Sequence, residues 1–395
     1  MQKKYVFLLL FLGLIKPVHA QVQLSVYSEV SILTAGPGTE LYEAFGHSAI
    51  RIKDPVLQLD LIYNYGMFDF DQPNFYSNFT KGKLLYKLAR YDFKYFLASN
   101  KRDKRWVKQQ VLNLNQQQKQ AYFIYLEKNA LPENATYYYD PYFNNCATKL
   151  RDITSEILGN KVDFKAGSLE ENKSFRQLMN KEIPWNTWGS FGINLALGSK
   201  LDTKRNFKNY MYLPDYVHSV FKNSKITINN QFENLVKRED VLLDFKELEQ
   251  EISVFNPFLV FSVFSLFGLF ITYKDFKNKM RSKWLDFMLF FLTGILGVLI
   301  VFLWFFTNHS TTPNNFNILW AFAPNLLIAF LILKNQAKKW LHFYFKFLLL
   351  LLGLIPILWI LEVQLFPTSI IPLLILLCVR YLFLSINLRN KTISK

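Results

Sequence analysis

The amino-acid sequence predicts an α+β exported domain followed by an all-α transmembrane domain of about five helices. Three observations lead to this fold class. A short apolar run follows two lysines near the N-terminus, residues 21–254 mix strand-like and helix-like patterns, and residues 255–395 contain long stretches without charge. We therefore expect a signal peptide at 1–20, an exported domain at 21–254 and a membrane domain at 255–395.

The N-terminus is typical of a secretory signal peptide. Lys3 and Lys4 precede the apolar run 6–15, and Ala20 supplies a small residue at the end. A basic start, a short apolar stretch and a small residue before the cleavage point define such signals. The apolar run is too short to span a bilayer. Residues from 21 onward are therefore expected to be translocated.

The C-terminal third contains stretches that lack Asp, Glu, Lys and Arg, and the longest of them is 287–333. A membrane-spanning helix needs about 20 apolar residues, so this stretch is long enough for two crossings. The polar segment 307–315 divides it. The expected spans lie near 255–273, 285–306, 318–334, 341–361 and 366–386.

The net charge is +16, and its distribution along the chain is typical of a membrane protein. Residues 255–395 carry 13 basic and three acidic residues, whereas 21–254 carry 30 basic and 27 acidic residues. The basic residues cluster in alternate loops, and the two loops on the opposite side contain no Lys or Arg. This positive-inside pattern predicts a multi-pass membrane protein with a cytoplasmic C-terminus. It is not the charge pattern of a nucleic-acid-binding face.

Local patterns place strands and helices in the exported domain. Residues 47–52 and 57–65 flank Asp54-Pro55 and predict a strand hairpin. Residues 106–114 keep helical spacing, and 226–251 are expected to form a strand and then a helix that leads into the membrane.

Cys146 is the first residue of interest for chemistry. The preceding Asn145 is a preferred N-cap, and the apolar i, i+3, i+4 pattern after it places Cys146 at or near a helix N-terminus. That position stabilises a thiolate, and its free N–H groups can hold an oxyanion. The only other cysteine, Cys378, lies in the last predicted span, so the sequence indicates neither a disulfide scaffold nor a Cys-rich zinc site.

His47 is the favoured base for this cysteine. It opens a strand directly after Gly46. A histidine at a strand start that faces a cysteine at a helix start is the papain-like arrangement. His218 is expected to have a structural or surface role. In the predicted hairpin Asn64 lies near His47 and could orient its ring, with Glu40 and Glu43 as rival candidates.

His309 lies in the polar loop 307–317 on the exported side. Its expected role is that of an interfacial loop residue, and a substrate contact is the alternative. The sequence has no Gly-rich phosphate loop, no metal-ligand spacing and no Gly-x-Ser-x-Gly elbow, so neither a cofactor nor a metal is expected.

Four segments of the exported domain resemble one known family. They are Thr34–Gly38, Phe45–Arg51, Tyr63–Phe70 and Asn145–Asp152. The segments 309–314 and 317–320 are also similar to the membrane portion of that family, the Lnb lipoprotein N-acyltransferases. The resemblance implies a circularly permuted NlpC-type, papain-like fold, similar to that of lecithin–retinol acyltransferase. It further implies Cys146 as nucleophile and His47 as base.

By resemblance, the expected reaction moves an acyl chain from a phospholipid to the α-amine of a diacylated lipoprotein cysteine. The expected partners are thus a phospholipid donor and a lipoprotein acceptor. Two other classes remain open: a membrane-anchored cysteine amidase or peptidase that cleaves cell-wall peptides, and a non-enzymatic membrane scaffold. The sequence does not define the acyl position, the acceptor selectivity or the oligomeric state.

Overall fold

The computed structural model describes residues 22–68, 71, 73–247, 252–334 and 340–393. The signal peptide predicted at 1–20 lies outside these residues.

An antiparallel sheet forms the centre of the N-terminal domain. The strands of the described chain are β1 (Glu29–Ala35), β2 (His47–Asp54), β3 (Leu59–Met67), β4 (Leu85–Asp92), β5 (Val107–Leu112), β6 (Thr136–Tyr138), β7 (Val162–Asp163), β8 (Lys225–Ile228), β9 (Gln231–Asn234) and β10 (Val236–Leu243). Seven of them pair in the order β10-β5-β1-β2-β3-β4-β6, and β7-β8-β9 form a small second sheet. The predicted hairpin is β2–β3, with Ile50 opposite Tyr63.

Helices cover both faces of the larger sheet. The helices of the described N-terminal domain are α1 (Phe75–Thr80), α2 (Phe93–Arg102), α3 (Gln116–Asn129), α4 (Cys146–Leu158), α5 (Phe175–Glu182), α6 (Trp188–Ala196), α7 (Phe207–Tyr210) and α8 (Pro214–Asn223). The main core joins the sheet to α3, α4 and α8, and a smaller core joins the opposite face to α2. The α+β class predicted for this domain is confirmed.

Two local predictions in this domain are wrong. In the segment 106–114, predicted as a helix, residues Val107–Leu112 form strand β5 between β1 and β10. Gln109 and Gln110 are buried there and hydrogen-bonded, and polar residues at buried strand positions hide the period of two. The helix predicted within 226–251 is also not formed between 226 and 247, where β8, β9 and β10 follow one another.

The C-terminal region is helical, as predicted. Among the described residues, four helices are long and apolar enough to cross a membrane. They are α9 (Pro257–Lys277), α10 (Lys283–Phe305), α12 (Leu341–Ile360) and α13 (Ile371–Ile393).

The third predicted span, 318–334, is not a continuous helix. A short 3₁₀ helix (Phe316–Leu319) is followed by α11 (Asn325–Leu331), whose seven residues rise only about 10 Å. Pro324 sits at the N-cap of α11 and lacks the N–H that a continuous helix would need there.

The segment nevertheless runs the full depth of the helical domain. At its far end the Ile332 carbonyl accepts a hydrogen bond from Arg281 at the N-terminal end of α10, at 2.5 Å. Its irregular backbone packs closely against α10. A Cβ added at Gly297 of α10 would lie only 2.2 Å from the Ala321 carbonyl oxygen. The buried Asn325 donates to Thr293 and accepts from Tyr344. Irregular backbone at membrane depth requires such burial within protein.

A buried ion cluster joins α9, α10 and α13. The Arg380 guanidinium contacts Asp275 at 2.8 Å and Asp286 at 2.7 Å, and Arg281 contacts the second oxygen of Asp286 at 2.7 Å. Arg380 and Asp286 have no exposed surface. Because each charge has an opposite partner, the cluster holds three helices together without an unpaired buried charge.

We expect Arg380→Met to destabilise the membrane domain. The substitution leaves Asp275 and part of Asp286 buried without a cation, which typically costs about 3–5 kcal/mol. Thermal unfolding in detergent measures the effect. Lys277→Met, which removes an exposed cation at the end of α9, is the matched control, and equal melting of the two variants would contradict a structural role for the cluster.

Candidate active site

Cys146 is the first residue of α4, and the Asn145 cap holds it there. The Asn145 side chain accepts from the Thr148 N–H at 2.9 Å, and the Thr148 hydroxyl accepts from the Asn145 N–H at 2.8 Å. The Asn145 amide also donates to the carbonyls of Pro141 and Tyr212, each at 2.8 Å. This capping box fixes both the start of the helix and the loop before it.

His47 is the first residue of β2, and Gly46 sets its position. Gly46 has a φ of +72°, and a Cβ there would lie 2.8 Å from the Ala35 carbonyl oxygen. Only glycine adopts this left-handed turn without strain. Ala35 is also the strand partner of His47 in β1, so the turn brings the imidazole to the sheet end against which α4 packs.

The structure brings three of the predicted site residues together. Cys146 is hydrogen-bonded to His47, and His47 Nε2 lies 2.5 Å from Asn64 Oδ1. The Asn64 amide in turn donates to the Tyr91 hydroxyl at 2.9 Å. Because that bond uses the nitrogen of Asn64, its oxygen is turned toward the imidazole. The result is a continuous chain from sulfur to phenol.

The environment favours the charged forms of the cysteine and the histidine. Burial raises the pKa of the Cys146 thiol, but the His47 imidazolium and the N–H groups of Ser48 and Ala147 outweigh it and lower this pKa below its ordinary 9.0. Burial likewise lowers the pKa of His47, but the nearby thiolate and the bonds to Cys146 and Asn64 raise it above 6.5. Both shifts act in the same sense and favour the thiolate–imidazolium pair over the neutral thiol and imidazole.

A cavity of about 1430 Å³ opens in front of the pair, and both domains line it. Its lining is largely apolar and aromatic, with polar groups near the sulfur. Its wall includes Leu41, Glu43, Phe79, Lys83, Arg105, Tyr139, Asp140, Trp188, Gly192, Leu303 and His309. Leu303 belongs to α10 and His309 to the loop after it, so the helical domain forms part of the wall.

The loop 307–315 is hydrogen-bonded to the N-terminal domain through its backbone. The Gly198 N–H donates to the Thr311 carbonyl at 2.9 Å, the Ser199 N–H to that of Asn314 at 3.0 Å, and the Asn308 N–H to that of Lys81 at 2.8 Å. These contacts close the cavity on the side of the helical domain.

His309 lies in the cavity wall and bonds to α1. Its ring is hydrogen-bonded to the backbone of Phe79 and Thr80. Burial lowers the pKa of His309, which keeps it neutral at neutral pH. Within the described residues no hydrogen bond joins it to Cys146 or His47.

In the part of the chain that the structure describes, the other candidates form no hydrogen bond with Cys146 or His47. Nε2 of His218 is 3.4 Å from Glu239 on β10. Glu43, a rival of Asn64, instead lies beside Arg105, and Cys378 is exposed on α13.

Sequence reasoning missed three residues near the pair. They are Tyr91, which fixes Asn64; Tyr139, whose pKa is raised by burial and by the negative charge of Cys146; and Arg105. No motif marks them, because each reaches the site from a different strand end or loop. Spacing along the chain therefore carries no signal for them.

Within the described ranges no cluster of three His, Cys, Asp or Glu side chains could hold a metal ion.

The fold and the site define a membrane protein whose α+β domain presents a cysteine–histidine pair to a cavity shared with its helices. Two family models match the chain: the Lnb N-terminal periplasmic domain over residues 16–188 and the Lnb transmembrane domain over residues 249–392. The chain belongs to the Lnb family, and its N-terminal domain is periplasmic. No curated protein and no solved structure matches it.

The charged pair predicts a distinctive pH dependence of thiol alkylation. The thiolate is lost only as the pH falls through the lowered pKa of Cys146. In a Cys378→Ser background, Cys146 should react with iodoacetamide faster than an unperturbed thiol does at a pH below the ordinary thiol pKa of 9.0. Added His47→Gln should slow alkylation at that pH toward the rate of an unperturbed thiol, because the imidazolium that favours the thiolate is lost.

His218→Gln is the matched control for this experiment and should leave the alkylation profile unchanged. If the thiol titrates at its ordinary pKa with His47 present, the ion pair is absent.

Proposed function

We propose that the protein is a lipoprotein N-acyltransferase of the bacterial inner membrane. It moves an acyl chain from a phospholipid, through a thioester on Cys146, to the α-amine of the N-terminal diacylglyceryl cysteine of a lipoprotein. One observation carries the proposal. The Cys146–His47–Asn64 chain faces a large apolar cavity that the periplasmic domain shares with the membrane domain. The distribution of basic residues among the loops supports a cytoplasmic C-terminus.

In the first half-reaction the Cys146 thiolate attacks the carbonyl carbon of a phospholipid acyl ester. The N–H groups of Ser48 and Ala147, which already bond the sulfur, stabilise the oxyanion that forms. The ester C–O bond then breaks, and the His47 imidazolium gives its proton to the glycerol oxygen. Lysophospholipid leaves, and the acyl chain stays on the sulfur.

In the second half-reaction the neutral α-amine of the lipoprotein attacks the thioester carbonyl. His47, now neutral, accepts the proton that the nitrogen loses as the amide bond forms. The C–S bond breaks and the thiolate–imidazolium pair is restored. Asn64 holds the imidazole through Nε2 in both steps, which leaves Nδ1 for the proton transfers.

The exposed aromatic side chains of the periplasmic domain and the part of the cavity wall formed by α10 favour lipid substrates over cell-wall peptides. Exposed aromatic side chains, including Tyr76, Trp185 and Trp188, lie on the periplasmic domain, and Trp188 donates to the Phe255 carbonyl just before α9 at 2.7 Å. Such amphipathic rings suit the membrane–water interface. A peptide amidase gains nothing from a wall made by α10. A scaffold, for its part, does not need a thiolate–imidazolium pair.

Mass spectrometry with phospholipid and a synthetic diacylated lipopeptide tests the reaction. The native protein should add one acyl chain to the lipopeptide and carry an acyl thioester on Cys146, and Cys146→Ala should do neither. Asn64→Ala should lower the transfer rate about 10²-fold, because the imidazole loses its orientation. An unchanged lipopeptide with cleaved cell-wall peptides would favour the amidase, and no turnover of either would favour the scaffold.

Gly192 tests whether the cavity holds the acyl chain. It lies in α6 on the cavity wall, and a Cβ there meets nothing within 4 Å. Gly192→Leu should fold normally, since Leu favours helix over Gly by about 0.5–1 kcal/mol. It should slow transfer of long acyl chains and spare short ones.

Gly353→Leu is the matched control for Gly192→Leu. A Cβ at Gly353 on α12 also meets nothing within 4 Å, but this residue does not line the cavity. Equal chain-length profiles for the two variants would exclude α6 as the wall of the acyl site.

A further inference from the structure

Arg105 is a buried cation in the wall of the catalytic cavity. It stands two residues before β5, next to the end of β1, and its side chain is only 10% exposed. Its Nε donates to the Gly36 carbonyl at 2.7 Å. Gly36 directly follows Ala35, the strand partner of His47. The guanidinium therefore sits at the same sheet end as the catalytic histidine.

The hydrogen bonds of Arg105 are largely unmade. A guanidinium has five N–H donors. Nη2 is buried and has no partner among the described residues, and Nη1 is 3.6 Å from the Glu43 carboxylate, beyond hydrogen-bond distance. Leaving buried charged donors unpaired is costly. By contrast, the buried Arg176 contacts Asp202, Asn194 and two backbone carbonyls.

The cavity around Arg105 combines a cation with an apolar wall. Glu43 ends the short 3₁₀ helix Leu41–Glu43, and Leu41 packs against Gly189 of α6. Arg105, this 3₁₀ helix and α6 thus follow one another along one side of the cavity. A molecule that binds there meets a cation at one end and an apolar surface at the other. Arg105 lines the same cavity as Cys146 and His47, and its charge acts on both.

We infer that Arg105 binds the phosphodiester of the lipid acyl donor while the acyl chain lies along α6. This inference rests on the proposed function and names the donor's binding residue. A phosphate offers the planar guanidinium fork two oxygens, which suits Arg better than a single point charge. The arriving anion replaces Glu43 as the counter-ion. Within the described residues no hydrogen bond holds the Glu43 carboxylate, and its one ion pair is the long contact with Arg105.

Glu43 provides a variant with the opposite expected effect. Its carboxylate competes with the phosphate for Arg105, so Glu43→Gln should tighten donor binding about threefold. Arg105→Gln should weaken it at least about 10-fold, the typical loss for a charge-assisted hydrogen bond. Lys83→Gln is the matched control. Like Arg105, Lys83 is a cation of the cavity wall, but its side chain is exposed to solvent.

Donor binding is measured in the full-length Cys146→Ala protein, so the result does not depend on turnover. Native mass spectrometry from detergent gives the affinities for phosphatidylglycerol and for diacylglycerol of the same chains, with inorganic phosphate as a competitor. We expect Arg105→Gln to lose affinity for phosphatidylglycerol alone and Lys83→Gln to match the parent. Inorganic phosphate should compete only weakly, because it lacks the chains that bind α6.

Four results would overturn the inference. Equal loss of both lipids in Arg105→Gln would mean that the residue only shapes the cavity, and loss in Lys83→Gln alone would move the phosphate elsewhere. Strong competition by inorganic phosphate would make the ligand a free anion. If Arg105→Gln is unstable, unchanged binding in Glu43→Gln overturns the inference by itself. Failure of the proposed function would appear separately, as intact phospholipid binding with no acyl thioester on Cys146.

Discussion

The hydrogen bonds between the loop 307–315 and the N-terminal domain are the contacts on which the cavity depends. Backbone groups on both sides form them, so they depend on the path of the chain more than on particular side chains. Two flanking contacts strengthen the docking: the Ser310 hydroxyl donates to Asp140, and the Leu365 N–H donates to Asp202.

Asp140 also accepts from the N–H groups of Tyr142 and Phe143 in the loop that leads to Cys146. One aspartate thus links the membrane-domain loop to the segment that positions the nucleophile, so movement of the loop would also move the sulfur.

The cysteine–histidine pair is stable in a buried setting because each charge has fixed partners. Burying an unpaired thiolate or imidazolium would cost several kcal/mol. Here the sulfur accepts from His47 and from two backbone N–H groups at a helix start and a strand start. The imidazolium donates to an amide oxygen that Tyr91 holds in place. A neutral Asn at this position orients the ring without adding a second negative charge that would compete with the thiolate. The order of the chain, with histidine before cysteine, leaves this geometry unaffected.

Sequence reasoning predicted the α+β domain, the helical region and the contact of Asn64 with His47, because each rests on local signals. The N-cap at Asn145, the Gly46–His47 turn and the β2–β3 hairpin are all encoded within a few residues. Strand β5 was misread because its neighbours β1 and β10 come from distant parts of the chain and bury Gln109 and Gln110. The break in the third crossing was missed for a similar reason. Apolar composition does not distinguish a helix from irregular backbone. The irregular backbone is possible here because Gly294 and Gly297 of α10 leave room for it. The place of Arg105 at the site depends on β1, β2 and β5 meeting at one sheet end, which no single segment encodes.

The several membrane helices, through their contacts with the periplasmic domain, fix where Cys146 lies relative to the helical domain. A single anchor would hold a periplasmic domain near the membrane but would leave its height and tilt free. Helix α10 ends beside the cavity, and its Leu303 carbonyl accepts from the hydroxyls of Thr307 and Thr312 at 2.7 and 2.6 Å. The loop that docks onto the periplasmic domain therefore also caps the helix. At the opposite end, the paired charges of Arg380 and Asp286 lock α10 to its neighbours. Because α10 is fixed at both ends, the loop after it holds the periplasmic domain, and Cys146 with it, in one position relative to the helices. In the proposed reaction, that position lets a phospholipid ester reach the sulfur while its chains remain in an apolar environment.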